Sequence, residues 1–368
     1  MNNFTLNVPV NNVSFGQTSV LILRTILSNQ ENSKALKGLH LIGGDADLSS
    51  QDQNCIKTLM PMVKQLVDSG IENFNRADPN FKLWHLADSL QSVSSRPTLM
   101  SFYELDEPTK LELKIAGSQN TIFTSQYTCD VFAANGVKTK YIPLAFDDFN
   151  FNVKTNRRVM SDRITFNVLG KYEKRKSHEK VIKAWIKRFG SNREYFLQCA
   201  VYNPFFPNAQ DTNRKITSSL LQGKHIFNVN FFGHMLQNTL YNDFLNSGDI
   251  VIGMSGGEGW GLPEFHSVAL GKHGVIMNAR GYKGWANDSN SILVEPNGKT
   301  EAYDGLFFQK GSQINQGNIF TFDEDAFIHA CEMAIERVKS SNRVNSAGLL
   351  LQKEFSKEKM VSSILESL

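Results

Sequence analysis

What this 368-residue chain lacks narrows its chemistry first. Its four cysteines, Cys55, Cys129, Cys199 and Cys331, are scattered with no paired spacing. That pattern offers neither a zinc knuckle nor a disulfide framework, and reduced thiols are expected. No apolar run approaches the roughly 20 residues that a helix needs to cross a bilayer. The stretch from Met1 to Thr5 has no basic region leading into an apolar core, so no secretory signal is visible and a cytoplasmic location is expected. Neither half holds a G-x-G-x-x-G turn between strand and helix, which disfavours a nicotinamide dehydrogenase. Internal repeats and low-complexity tracts are absent. A large excess of one charge sign is missing too: the net charge of +3 is too small to demand a polyanionic partner.

What remains is the composition of a soluble globular protein, 41% hydrophobic and 20% charged, long enough for two domains. Apolar runs alternate with helical patterns in both halves, which argues for two α/β domains with mainly parallel sheets. In the first half, strands are expected near 4–10, 39–42, 82–85, 98–102, 121–124 and 140–142. In the second they fall near 164–169, 195–198, 226–231, 249–254, 275–277 and 291–294. Pro143 and the acidic-aromatic stretch 147–151 mark a change of element, with a linker near 147–158. The domains are thus drawn at 1–150 and 159–350. Residues 351–368 form a last helix with Met360, Val361, Ile364 and Leu365 on one face. The stretch after Val294 reads as less regular.

The most informative segment is 253–266, GMSGGEGWGLPEFH, between two short apolar strands. Gly256, Gly257, Gly259 and Gly261 allow backbone conformations and close approaches that side chains would block. Pro263 suits the first turn of a helix and Gly271 its C-terminal cap. A glycine-rich turn feeding a helix at a strand's carboxyl end holds anions, because free amides and the helix dipole point there. A phosphate-bearing ligand is expected, with Glu258 and His266 around it.

This segment resembles the nucleotide-binding signature of the retaining GT-B glycosyltransferases, in particular the family 4 group with its E-x7-E element. Glu258 matches the first acid and Trp260 the aromatic; His266 stands where the second acid belongs. Glu264 is an acid two residues out of register and is expected to point elsewhere on the helix. Gly170-Lys171 and Lys176 are similar to the family's Gly-Arg…Lys-Gly element, with Ser177 in place of the last glycine. Phe232-Gly233, the stretch 101–108 and the run 142–147 add ordered matches over most of the chain. The resemblance implies two Rossmann-like α/β domains facing a cleft, the first on the acceptor side and the second binding the donor. It also implies a last helix that crosses back to the first domain, and a sugar donor carried on a nucleotide diphosphate, UDP above all.

Sugar transfer builds negative charge on the leaving β-phosphate, so fixed cations and amide donors are needed there. By resemblance Lys171 and Lys176 are the cations, with Gly170 fixing the first. Lys176 also reads as one lysine of a basic run, and its neighbours Lys174 and Arg175 are expected to face solvent. Ser255, Gly256, Gly257, Gly259, Trp260, Gly261 and Leu262 line the donor site in this reading, and Glu258 accepts from the donor sugar's hydroxyls. His266 either accepts a ribose hydroxyl as a neutral imidazole or is a packed helix histidine. Gly16 either faces the diphosphate from a loop after the first strand or is a tight-turn glycine. Glu104 and His85 are the acceptor-side candidates for orienting or deprotonating a hydroxyl.

Retention of configuration follows from the resemblance and needs no glycosidase-like carboxylate pair. Asp45-x-Asp47 lies in the wrong domain for a donor-bound metal; no catalytic metal and no permanently bound cofactor are expected. The acceptor is a glycan or small molecule, or a hydroxymethylated base in viral DNA, in which case the location is the host cytoplasm. The DNA reading leans on the basic run Lys171, Lys174, Arg175, Lys176, Lys180, Lys183, Lys187 and Arg188, which otherwise reads as a solvated helix face with a phosphate-binding loop. A sugar-nucleotide epimerase of the same fold and a non-catalytic sugar-nucleotide-binding protein are the competing readings.

Overall fold

Runs rich in Val, Ile, Leu and Phe become two six-stranded sheets, parallel throughout. The computed structural model describes residues 3–88, 91–155 and 162–368, so positions 156–158 of the expected linker lie outside the described residues. The first sheet comprises β1 (Phe4–Val8), β2 (Leu36–Leu41), β3 (Pro79–Leu83), β4 (Arg96–Ser101), β5 (Asn120–Phe123) and β6 (Lys140–Tyr141), in the order β2-β1-β3-β4-β5-β6. The second comprises β7 (Ile164–Leu169), β8 (Tyr195–Ala200), β9 (Val229–Phe231), β10 (Ile250–Gly253), β11 (His273–Met277) and β12 (Ser291–Val294), in the order β12-β11-β10-β7-β8-β9. Every residue of β1, β3, β7 and β11 is buried, as expected of strands covered by helices on both faces.

Strand order places the site. In open parallel sheets, ligands gather at the carboxyl ends where the order reverses. In the second sheet that point lies between β7 and β10, which are direct neighbours. The turns leaving these two strands are Gly170–Lys176 and the glycine-rich segment. In the first sheet it lies between β1 and β3.

Two segments of the second half reach across to the first. The irregular stretch after Val294 contains an antiparallel hairpin, β13 (Pro296–Glu301) and β14 (Asn318–Phe322). Ala302, Phe308 and Ile319 bury among Leu99, Tyr103, Phe123 and Phe132 of the first half. Asp106 accepts from the Asn318 amide at 2.7 Å and pairs with Lys299 at 2.6 Å. The last helix, Lys357–Leu365, packs against the helix Ser14–Ser28, and the Ser367 carbonyl accepts from Asn120 at 2.7 Å. The chain end therefore crosses back to the first half. All four cysteines are free and buried, and no helix of the described residues is long and apolar enough to cross a membrane.

Candidate active site

Gly170 follows β7, and its φ of +102° puts it in a conformation that side chains rarely adopt. A Cβ there would stand 3.2 Å from Lys176 Cε, so the glycine lets Lys176 pass beneath the strand end. A short turn, Lys174–Lys176, follows. Lys176 is buried and its Nζ meets Glu258 Oε1 at 2.5 Å. Lys171 is half-exposed, 2.9 Å from Glu173, with its ammonium over the rings of Phe205 (4.9 Å) and Phe307 (4.7 Å). Lys174 is exposed and donates to the Tyr303 carbonyl.

Arg175 corrects the expectation that it faces solvent. It is 6% exposed, and its guanidinium reaches Glu173 at 2.7 Å, Glu258 at 2.8 Å and Glu104 at 2.9 Å. Glu104 leaves the end of β4, so this contact joins the two halves. Three cations, Lys171, Arg175 and Lys176, thus meet three carboxylates, Glu104, Glu173 and Glu258, in one balanced cluster. Burial works to raise the Glu258 carboxyl, but the Arg175 and Lys176 charges override it and hold it below its ordinary value. Glu173 is likewise pulled down to about 2 against its burial, chiefly by Arg175. At Glu104 burial wins over Arg175, and its pKa is raised.

The glycine-rich turn is built for close approach to the first half as much as for an anion. A Cβ on Gly257 would lie 2.9 Å from the Glu104 carbonyl oxygen, and one on Gly259 3.1 Å from Phe102. Thr124 donates to the Gly259 carbonyl at 2.9 Å. The Gly256 amide, expected as a phosphate donor, donates instead to the Arg175 carbonyl at 2.8 Å, and its carbonyl accepts from Arg280 at 2.7 Å. Ser255 donates through its hydroxyl to the same Arg175 carbonyl at 3.1 Å. Gly261, at φ +83°, opens the helix Leu262–Ala269. Trp260 turns inward onto Phe265 and Phe355, with ring centroids 5.4 Å away in each case, and Leu262 packs on the core.

On this helix the histidine takes the packed position that was one of its two readings, and the expectation that Glu264 points elsewhere is corrected. His266 is buried among Phe151, Phe146 and Phe265, at ring distances of 4.5, 5.7 and 5.6 Å. Burial pushes its pKa down to about 3, and Nε2 has no hydrogen-bond partner among the described residues. It is a packed histidine at the linker, away from the charge cluster. Glu264 is the acid that reaches the cluster. Its side chain lies against Gly253, Gly261 and Tyr282, close enough to feel Lys176 and Glu258. Burial pushes its pKa up to about 7, with Lys176 opposing.

Gly16 belongs to the first turn of the helix Ser14–Ser28 rather than to a loop, and its missing side chain faces Asn11, whose Oδ1 would stand 2.1 Å from a Cβ. His85 lies beyond β3, exposed, beside Trp84 and Phe15. Desolvation lowers its pKa, Asp88 opposes, and Lys171 adds to the lowering. Asp45 and Asp47 are exposed in the first half, and no three His, Cys, Asp or Glu side chains among the described residues could hold a metal together. The basic run is not a free groove. Lys183 pairs with Glu179, Lys187 with Glu324 at 2.8 Å and Arg188 with Glu332 at 2.7 Å, while Lys180 donates to the Phe322 carbonyl. A surface groove of about 640 Å³ near Arg188 and Met333 lies outside this constellation.

Two parallel α/β units facing each other, each with its strand carboxyl ends at the cleft, make the GT-B architecture of glycosyltransferases, and this chain has that fold. Among solved structures it is similar to the sucrose-phosphate synthase of Thermosynechococcus elongatus, at 12% identity and a TM-score of 0.70 over 100% of this chain and 98% of that one. It is also similar to Anabaena HepE in complex with UDP-glucose, at 13% identity and 0.65 over 100% and 99% of the two chains. A glycosyltransferase of Rickettsia africae matches at 12% identity and 0.64 over 99% and 97%. No family model and no curated protein matches the chain. At these identities the likeness is one of fold.

Proposed function

We propose that the protein is a retaining glycosyltransferase that moves a hexosyl or pentosyl group from a nucleotide diphosphate, UDP above all, to an acceptor hydroxyl. The observation that carries the reading is the charge cluster at the β7–β10 switch point, built from both strand ends and faced by Glu104 of the other half. A nucleotide sugar in this cleft brings two phosphate charges. Lys171 and Lys176 exchange carboxylate partners for phosphate oxygens, and fixed cations then stabilise charge developing on the leaving phosphate. Glu258, kept ionised, accepts hydrogen bonds from the donor sugar. The acceptor oxygen bonds to the anomeric carbon as the bond to phosphate breaks, and the hydroxyl proton passes to the leaving phosphate on the same face. Glu104, with its raised pKa, orients that hydroxyl.

In this reading the acceptor is a glycan or small molecule. Glu179, Glu324 and Glu332 beside Lys183, Lys187 and Arg188 offset their charge, which weakens the positive field that draws a duplex. The test is turnover of a panel of nucleotide sugars with simple glycans, with modified duplex DNA and without acceptor. Transfer to a glycan in the first arm supports the proposal. Isomerisation of the donor in the acceptor-free arm would mark an epimerase, and binding without turnover in every arm a non-catalytic protein.

A further inference from the structure

Arg175 holds more of the cleft than any residue the family pattern names. Through its guanidinium it contacts Glu173, Glu258 and Glu104 and donates to the Gly257 carbonyl at 2.6 Å. Through its backbone carbonyl it accepts from Gly256 and Ser255. One residue therefore fixes the glycine turn by main chain and side chain together. An arginine suits this position, because its planar fork presents five donors and serves several carboxylates at once, whereas an ammonium is a point charge. Glu173 and Glu258 belong to the same half as Arg175. Glu104 does not: it follows β4, and it reaches the guanidinium only where the halves touch. At the same spot the missing side chain of Gly257 lets the Glu104 main chain approach.

We propose that Arg175 is a positioning residue that couples contact between the two halves to the placement of Glu258 and the glycine turn. When the halves part, Glu104 leaves the guanidinium, which is then free to swing toward Glu173 and slacken its hold on Gly257 and Glu258. When they meet, the third carboxylate fixes the fork and sets Glu258 in place. Closure and completion of the site become one event, as in enzymes whose closing motion assembles the catalytic groups. The inference rests on the transferase reading for its consequence in turnover, and on geometry alone for the coupling itself.

The test compares wild type with Glu104→Gln, Arg175→Lys and the double variant. The first readout is backbone hydrogen exchange of residues 255–261 without ligand, with β7 and β11 as folding controls. Glu104→Gln is expected to speed exchange in 255–261 by about fivefold or more while the control strands stay unchanged. Unchanged exchange there overturns the coupling, whatever the activity. The second readout is steady-state transfer from UDP-glucose. Arg175→Lys is expected to lower kcat by about tenfold or more with KM within about threefold, since misplacement costs rate rather than affinity. In the exchange readout the double variant is expected to be no faster than Arg175→Lys alone, because both changes break one link. Multiplying exchange effects, or a loss in KM alone for Arg175→Lys, overturn the proposal. Failure of wild type to bind or turn over any nucleotide sugar instead removes the transferase reading and leaves the exchange result to decide the coupling.

Discussion

Replacing Glu264 by Gln should make the protein more stable at alkaline pH and change it little in acid. Its carboxyl is buried against Gly253, Gly261 and Tyr282, with burial as the main cause of a pKa raised from 4.5 to about 7. Below pH 4.5 the group is protonated in both folded and unfolded chains and costs nothing. Between 4.5 and about 7 the unfolded chain releases the proton while the folded one keeps it, so stability falls as pH rises; above 7 the loss is complete. At about 1.4 kcal/mol per pKa unit, the loss amounts to about 3 kcal/mol. Glutamine keeps the shape and has no proton to lose. Urea unfolding of both proteins at pH 4.5 and pH 8 measures the difference. The variant should gain about 3 kcal/mol relative to wild type between the two pH values. A difference that does not change with pH, or one that favours wild type at pH 8, would refute the placement of this carboxyl in a desolvated site.

His266→Phe should leave the KM for UDP-glucose within about twofold and stability within about 1 kcal/mol, because the position is an aromatic packing site; a tenfold rise in KM would show that the imidazole touches the donor. Gly256→Ala should destabilise the protein by about 2 kcal/mol or more in urea unfolding, since the new Cβ would lie 2.1 Å from the backbone oxygen of Phe320. A stability equal to wild type would mean that the turn is not held against β14. Duplex DNA should show no salt-sensitive binding in a mobility-shift assay at about 50 mM salt. A shift there that vanishes near 200 mM would return the DNA acceptor to consideration.

The second half was the more legible. The apolar strands at 164–169 and 291–294 fall where the pattern placed them, and the glycine segment stands at the end of β10. Periodicity reports burial, and fully buried parallel strands carry a strong signal. The hairpin β13–β14 was hidden because β13 is almost entirely polar and exposed, and the apolar residues that anchor the hairpin, Ala302, Phe308 and Ile319, pack against the other half. Arg175 was misjudged because a run of adjacent cations gives no sign of which one turns inward. That choice depends on Ser177, whose φ of +55° ends the turn, on Glu173 close by, and on two acids distant in sequence, Glu104 and Glu258. A fixed acid spacing likewise could not tell that position 266 faces linker aromatics and position 264 the cluster. Gly16 was read as a loop residue because Asn11, Asn12 and Ser14 are turn-type residues, whereas the helix starts at Ser14 from Val13, which provides no side-chain cap.

Calorimetric titration of UDP-glucose into wild type and Lys176→Met tests the central claim, that the charge cluster receives a nucleotide diphosphate. Wild type should bind, and the variant should bind about tenfold or more weakly, because a cation that would meet the phosphates is gone while Arg175 still satisfies Glu258. Equal affinity in the two proteins, or no binding of UDP-glucose or UDP by wild type, would contradict it.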